Sequence, residues 1–222
     1  MFYAIIRFIF LVILVVFFRM RVEGHENVPR RGPVILAANH MSLLDPIVVG
    51  CALKRRVKFM AKAELFKNRA FGLVLRWLGT FPVRRGESDR DAFHRCFQVL
   101  EAGQVLGIFP EGTRSVDGRL GRFSSIAAVL SSKTGAPVVP VGILGTGQIL
   151  RRGSFIPRLG RVVVRIGPPV AAGQAHDIEA GAGDMSKAGT VVNVDGAIRS
   201  ASKGSIQDMT IKIANEVNRL IS

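Results

Sequence analysis

"VILAANHMSLLDP", Val34–Pro46, joins five apolar residues to a polar turn and a helix start. The run Val34–Ala38 has no polar alternation, so it suits a strand covered on both faces rather than one half in water. Ser42 suits a helix N-cap with Asp45 three residues on, and Pro46 falls in the first turn, where a missing amide hydrogen is tolerated. These rules account for Ser42 and Asp45 but give no local reason for Asn39 and His40, two polar residues at the mouth of an apolar strand. Within one continuous helix, side chains five residues apart point about 140° apart and do not meet. With His40 in the loop and Asp45 in the first turn the chain folds back, and a hydrogen bond between them becomes possible. The helix amino terminus favours an ionised Asp45. That carboxylate would fix one ring nitrogen of His40 and raise the basicity of the other, as an orienting carboxylate does for a general base.

The strand-to-helix pattern repeats along the chain. "VKFMA" (57–61), "TFPV" (80–83), "VLGIF" (105–109), "VVPVGI" (138–143) and "VVVRIG" (162–167) read as further strands. Between them, "AELFKNRAFGLVLRWLG", "SDRDAFHRCFQVLEAG" and "SSIAAVLSSKTG" carry apolar residues at three and four spacing and end in a glycine suited to a C-terminal cap. The expected architecture is α/β: a mostly parallel or mixed central sheet with helices on both faces. In such folds chemistry gathers in the loops leaving the strand ends. Residues 171–204, rich in Ala, Gly and Ser, are expected to form a peripheral, irregular or mobile segment. "SIQDMTIKIANEVNRLIS" then gives a closing amphipathic helix with Ile206, Met209, Ile213, Val217 and Leu220 on one face and a capping box from Ser205 to Asp208. "LGTGQIL" lacks the spacing and the lysine of a phosphate-cradling loop.

A chain of 222 residues suits one sizeable core. Its 31 Lys and Arg against 16 Asp and Glu, a net charge of +15, point to an anionic partner. The two cysteines, Cys51 and Cys96, indicate neither a disulfide framework nor a zinc site, and no metal is expected. "MFYAIIRFIFLVILVVFFRMR" holds eleven uninterrupted apolar residues, Phe8–Phe18, between Arg7 and Arg19. That run covers roughly 16 Å of a ~30 Å hydrocarbon layer, and counting from Phe2 with Arg7 snorkelling extends it to roughly 25 Å. Residues 1–21 are therefore expected to form a hydrophobic membrane anchor, whether spanning or lying in one leaflet, ahead of a single catalytic domain over 22–222. No small-residue site follows for removal as a signal peptide. Arg30 and Arg31 would lie among anionic headgroups, which makes a membrane surface the expected partner.

A second polar loop follows the strand 105–109. In "FPEGTRS", Gly112 permits close backbone approach, Arg114 offers a planar fork matched to phosphate, and Thr113 and Ser115 add hydroxyls. A third cluster, "GTFPVRRG", closes a short strand with Arg84 and Arg85.

Taken in order with "VPVGI", these stretches resemble the glycerolipid acyltransferase family over roughly Val22–Ile143. NHMSLLD resembles its HxxxxD block, GTFPVR the second, FPEGTRS the third and VPVGI the fourth. FPEGTRS looks like the 1-acylglycerol-3-phosphate (lysophosphatidic acid) branch, which is also close in motif to enzymes that acylate lyso-ornithine lipids. The resemblance implies that His40 takes the proton from the sn-2 hydroxyl of lysophosphatidate as it attacks an acyl thioester, with Asp45 holding the imidazole. It implies substrate binding by Arg84, Glu111, Gly112, Thr113 and Arg114, and a role for Pro140 tied to the acyl donor or to shape. It also implies acyl-CoA or acyl carrier protein as co-substrate with no cofactor, and a membrane-associated enzyme whose active site faces the cytoplasm. Where many relatives carry a lysine and then a glycine, this chain has Ser124 and Ile126, which bears on the identity of the lyso-lipid.

Other readings are weaker. No GxSxG elbow is present for serine-type acyl transfer. Cys96 and His94, two residues apart on a helix, face different ways. A noncatalytic membrane-surface or nucleic-acid module would explain the charge but leaves the His40 and Asp45 pair idle, and no strand or helix interleaves aromatic and basic residues for nucleic acid.

Overall fold

The structure, a computed structural model, describes residues 2–77, 79–83, 89–154, 156–170 and 203–222. Its centre is a seven-stranded mixed sheet of β1 (Arg21–Glu23), β2 (Val34–Ala38), β3 (Val57–Lys62), β4 (Phe81–Val83), β5 (Val105–Ile108), β6 (Val138–Leu144) and β7 (Val163–Ile166), in the order β1-β7-β6-β2-β5-β3-β4. All neighbours are parallel except β6 and β7. β2 is central and every one of its residues is buried. Val34, Leu36 and Ala38 point into one apolar cluster, and Ile35 and Ala37 into the other. This two-sided burial is why the strand carries no polar alternation.

The first cluster is covered by α1 (Phe2–Val16) and α2 (Asp45–Ala52). The second is covered by α4 (Asp89–Glu101), α5 (Ile126–Thr134) and α7 (Lys203–Ile221). The short α3 (Arg69–Trp77) and α6 (Thr146–Ile149) complete the helices among the described residues. Helices on both faces of a mixed sheet are the expected α/β layers. The glycine read as the cap of α5 does that work: Gly135 is left-handed, at φ 67°, and its N–H donates to the Ser131 carbonyl. Ile206, Ile213 and Val217 of α7 are buried as its spacing requires.

Three details differ from the expectation. Helix α2 starts at Asp45, so Ser42 lies ahead of it in the loop and its side chain does not cap the helix. Ser205 lies inside α7 rather than at its cap. β1, absent from the expected strands and starting at the last residue of the anchor segment, is an edge strand paired with β7; three residues are too few to show a period. The expectation for 171–204 falls on residues outside the described set, apart from the first turn of α7.

Among the described residues no helix is long and apolar enough to cross a membrane. α1 instead lies against α2. Leu14 and Phe18 are buried in the first cluster, with Phe10 and Leu11 packed beside them. Arg7 does not snorkel toward headgroups but donates from Nη2 to the Cys51 carbonyl at 3.1 Å and from Nε to the Gly50 carbonyl at 3.4 Å, at the C-terminal end of α2. The opposite face, including Phe8, Ile9, Val12, Val16 and Phe17, remains exposed. The anchor segment is thus joined to the core by one face and free by the other.

Both cysteines are unpaired and buried. Burial raises the Cys51 thiol to about 11, against a smaller lowering by Arg7, and burial raises Cys96 to about 12. Both therefore stay protonated near pH 8, and thiolate is the reactive form. Iodoacetamide at pH 8 should leave both thiols unmodified in the folded protein and alkylate both in denaturant, as read by intact mass; rapid labelling of the folded chain would contradict this packing.

Candidate active site

Three adjacent central strands, β6, β2 and β5, run parallel and release their C-terminal loops at one end of the sheet. From β2, the fully buried Asn39 turns toward β6: its Oδ1 accepts from the Ile143 N–H at 2.7 Å and its Nδ2 donates to the Ile143 carbonyl at 2.9 Å. The amide side chain thereby continues the strand pairing one step beyond the backbone ladder. That is the local reason, missing from the sequence, for a polar residue at the strand mouth.

His40 follows. Its Nδ1 lies 2.9 Å from Asp45 Oδ2, with the His40 side chain 17% exposed and Asp45 at 0%. The same Oδ2 accepts from the Met41 and Ser42 N–H groups, each at 2.7 Å. Two backbone donors make Oδ2 a fixed acceptor, so the Nδ1 contact calls for the tautomer with hydrogen on Nδ1. Nε2 then keeps its lone pair, and among the described residues it has no hydrogen-bond partner. The Phe109 ring stacks on the imidazole, centroids 4.1 Å apart at 19°, and Phe59 stacks behind it at 5.7 Å. The ring is therefore held at its edge and on its face.

The loop after β5 clamps the same residue by its backbone. Glu111 Oε1 accepts from the His40 N–H at 2.8 Å, and Glu111 Oε2 accepts from the Gly121 N–H at 2.8 Å. The His40 carbonyl accepts from the Ser115 N–H at 2.8 Å. Glu111 thus orients donors of the chain itself. Gly112 is needed for its left-handed backbone, φ 66°, because a Cβ there would meet open space. Thr113 is exposed on the rim. Arg114, half-buried, makes no hydrogen bond or ion pair among the described residues.

A cleft of about 530 Å³ adjoins this centre, lined by Asn39, Met41, Ser115, Ile143, Gln148 and Arg151 among others. Ser42 Oγ fastens its far side by donating to the Leu150 carbonyl at 3.0 Å. Pro140 is not on the cleft wall; it is buried inside β6, where its carbonyl accepts from the Gly167 N–H at 2.9 Å. Arg84 lies outside the described residues. The structure therefore brings together His40, Asp45, Glu111 and the loop bearing Gly112, Thr113 and Arg114, and sets Pro140 apart. Sequence reasoning missed Phe109, Asn39 and Ser42 as positioning residues. Phe109 ends an apolar run and reads as strand; only the unexplained polarity of Asn39 gave a signal. Among the described residues, no three His, Cys, Asp or Glu side chains are grouped to hold a metal.

The pattern of the family described as "Acyltransferase" matches residues 19–144, more than half of the chain. The chain belongs to that acyltransferase family. Among its relatives, the chloroplastic 1-acyl-sn-glycerol-3-phosphate acyltransferase LPAT1 of Arabidopsis thaliana is 37% identical over 163 residues, 72% of this chain and 46% of that protein. The 1-acyl-sn-glycerol-3-phosphate acyltransferase of Bacillus subtilis is 32% identical over 153 residues, 68% of this chain and 73% of that protein. The lyso-ornithine lipid O-acyltransferase of Rhizobium meliloti is 35% identical over 138 residues, 58% of this chain and 46% of that protein. The chain spans about half the length of the plant relatives it matches. In fold it resembles the crystal structure of the 1-acyl-sn-glycerophosphate acyltransferase PlsC from Thermotoga maritima, with a TM-score of 0.68 over 98% of this chain and 81% of that one at 24% identity.

The stack behind His40 depends on the bare backbone of Gly107, where a Cβ would overlap the Phe59 ring. Gly107→Ala should push that ring toward Phe109 and lower stability by about 1–3 kcal/mol, the usual cost of overpacking. Urea denaturation measures it, and an unchanged midpoint would show that the stack has room to give.

Proposed function

We propose that the protein transfers a fatty acyl group from an acyl thioester to the sn-2 hydroxyl of lysophosphatidate, giving phosphatidate, at a membrane surface. The observation that carries this reading is the His40–Asp45 pair, with Nδ1 committed to the carboxylate and Nε2 without a hydrogen-bond partner among the described residues. In this mechanism Nε2 takes the hydroxyl proton as the acceptor oxygen attacks the thioester carbonyl. The carbon–sulfur bond then breaks, the thiolate leaves, and the proton returns from the imidazolium to the sulfur. Asp45 holds the ring through its positively charged form, and because the acceptor oxygen attacks the thioester directly no acyl-enzyme is needed. A positioned base contributes roughly 10²–10⁴ in rate, and holding donor and acceptor together contributes more. Arg114, which makes no ion pair among the described residues, is assigned to the acceptor phosphate together with Arg84. The donor is acyl-CoA or acyl carrier protein, and no cofactor takes part. The exposed face of α1 would rest on the cytoplasmic side of the bilayer.

A second acceptor is favoured by one observation: Ser124 and Ile126 stand where many relatives have lysine and glycine, and a relative at 35% identity is named for lyso-ornithine lipid. A panel of lyso-lipids given to the purified protein decides between them. Turnover of lyso-ornithine lipid without lysophosphatidate would reverse the order.

His40→Ala should lower acyl transfer at least about 10²-fold while leaving the thermal midpoint and vesicle binding unchanged; activity close to wild type would reject the base assignment. Arg114→Ala should raise KM for lysophosphatidate about tenfold or more, in keeping with the loss of a charge-assisted bond. An unaltered preference between phosphate-bearing and phosphate-free acceptors would remove Arg114 from that role.

A further inference from the structure

We propose that the loop 150–161, with the tip at Val116, forms a second membrane contact that seats the mouth of the active site on an anionic bilayer. This rests on the reading of the site as one that takes lyso-lipids from a membrane.

The three most exposed large apolar side chains among the described residues are Val116 at 82%, Leu159 at 81% and Ile156 at 80%. Single exposed apolar residues are ordinary, but these three stand on the two loops that flank one opening: Val116, Arg151 and Arg152 all line the cleft that Asn39 and Met41, the neighbours of His40 in sequence, also line. Their neighbours in sequence are cationic. Residues 110–125 carry Arg114, Arg119 and Arg122 with Glu111 and Asp117, and residues 150–161 carry Arg151, Arg152, Arg158 and Arg161 with no acid. Glu111 is occupied by the amides of His40 and Gly121, and Asp117 by Ser115 and the Arg119 amide. None of the seven arginines forms a salt bridge among the described residues. Apolar tips set among arginines that outnumber the nearby acids, seven to two in these segments, match a bilayer, whose acyl chains receive the tips and whose phosphates receive the charge.

The chain path joins this rim to the free face of α1. Val162, directly after the loop, donates to the Phe18 carbonyl at 2.9 Å, and its carbonyl accepts from the Arg21 N–H at 3.0 Å. The exposed Val15, Val16 and Phe17 therefore end where the 156–161 segment returns to the sheet. A helix lying on a surface by one face leaves the domain free to roll about its axis. A second apolar contact beside the cleft removes that freedom and points the opening at the lipid. The loop is tied to the catalytic turn, since Leu150 accepts from Ser42 Oγ and the Arg158 N–H donates to the Ile149 carbonyl at 2.8 Å.

The test uses the full chain with vesicles of phosphatidylcholine containing about one third phosphatidylglycerol. Ile156→Asp with Leu159→Asp should weaken co-sedimentation at least about tenfold, from the apolar area withheld from the acyl layer. Transfer to micelle-dispersed lysophosphatidate should stay within about twofold of the parent. Undiminished co-sedimentation would overturn the proposal. So would a matching fall in micellar turnover, which would place the loop in the site rather than on the bilayer. As a second readout, Ile156→Trp in a chain whose only tryptophan, Trp77, is replaced by Phe should shift its emission to the blue when these vesicles are added; an unshifted spectrum also overturns it. If the parent protein acylates no lyso-lipid while the substitutions still abolish vesicle binding, the functional reading fails and the membrane contact stands.

Discussion

One oxygen atom organises the site. Asp45 Oδ2 accepts from the His40 ring and from the amides of Met41 and Ser42. It thereby closes the turn between β2 and α2 and sets the imidazole edge in the same act. The carboxylate is fully buried, and its other oxygen, Oδ1, has no hydrogen-bond partner among the described residues. A buried carboxylate is costly unless its charge is satisfied. Here the amides of Met41 and Ser42, in the loop ahead of α2, together with the favourable end of the helix dipole, supply that compensation. The same contacts that make the turn foldable fix the direction of the imidazole ring.

The turn is held in space by the sheet rather than by itself. β6, β2 and β5 are neighbours, so three loops distant in sequence converge at one end. Asn39 binds the end of β6, Glu111 from the β5 loop holds the His40 amide, and the Ser115 amide holds the His40 carbonyl. Each bond joins backbone to a side chain or backbone of a different strand-end loop, so local sliding of any one loop breaks contacts in another. The left-handed Gly112 lets the β5 loop make its bend without crowding the opening. Rigidity around His40 and openness in front of it thus come from the same set of loops.

Charge and apolar surface are distributed with the same economy. The net positive charge is not a diffuse property of the chain. Around the cleft it takes the form of arginines that make no salt bridge among the described residues, beside three exposed apolar side chains, Val116, Ile156 and Leu159. α1 shows both demands on a single helix, with one face in the core and the other in solvent. Arg7, which in the sequence reads as an interruption of an apolar run, satisfies carbonyls at the end of α2 and lets the helix pack closely.

The sequence by itself determined the main strands and helices and the partnership of His40 with Asp45. Strands buried on both faces must be apolar throughout, helices must repeat at three and four residues, and a histidine with an aspartate at a strand-to-helix turn has few structural reasons to exist. These are local rules, legible within a window of about a dozen residues. Tertiary structure alone decided how α1 packs, that β1 exists, and what Asn39, Ser42, Phe109 and Glu111 do. Their partners lie far along the chain: Asn39 and Ile143 are 104 residues apart, His40 and Glu111 are 71. A hydrogen bond depends on distance in space and leaves no period in sequence, so such bonds become visible only once the sheet has brought its strand ends together.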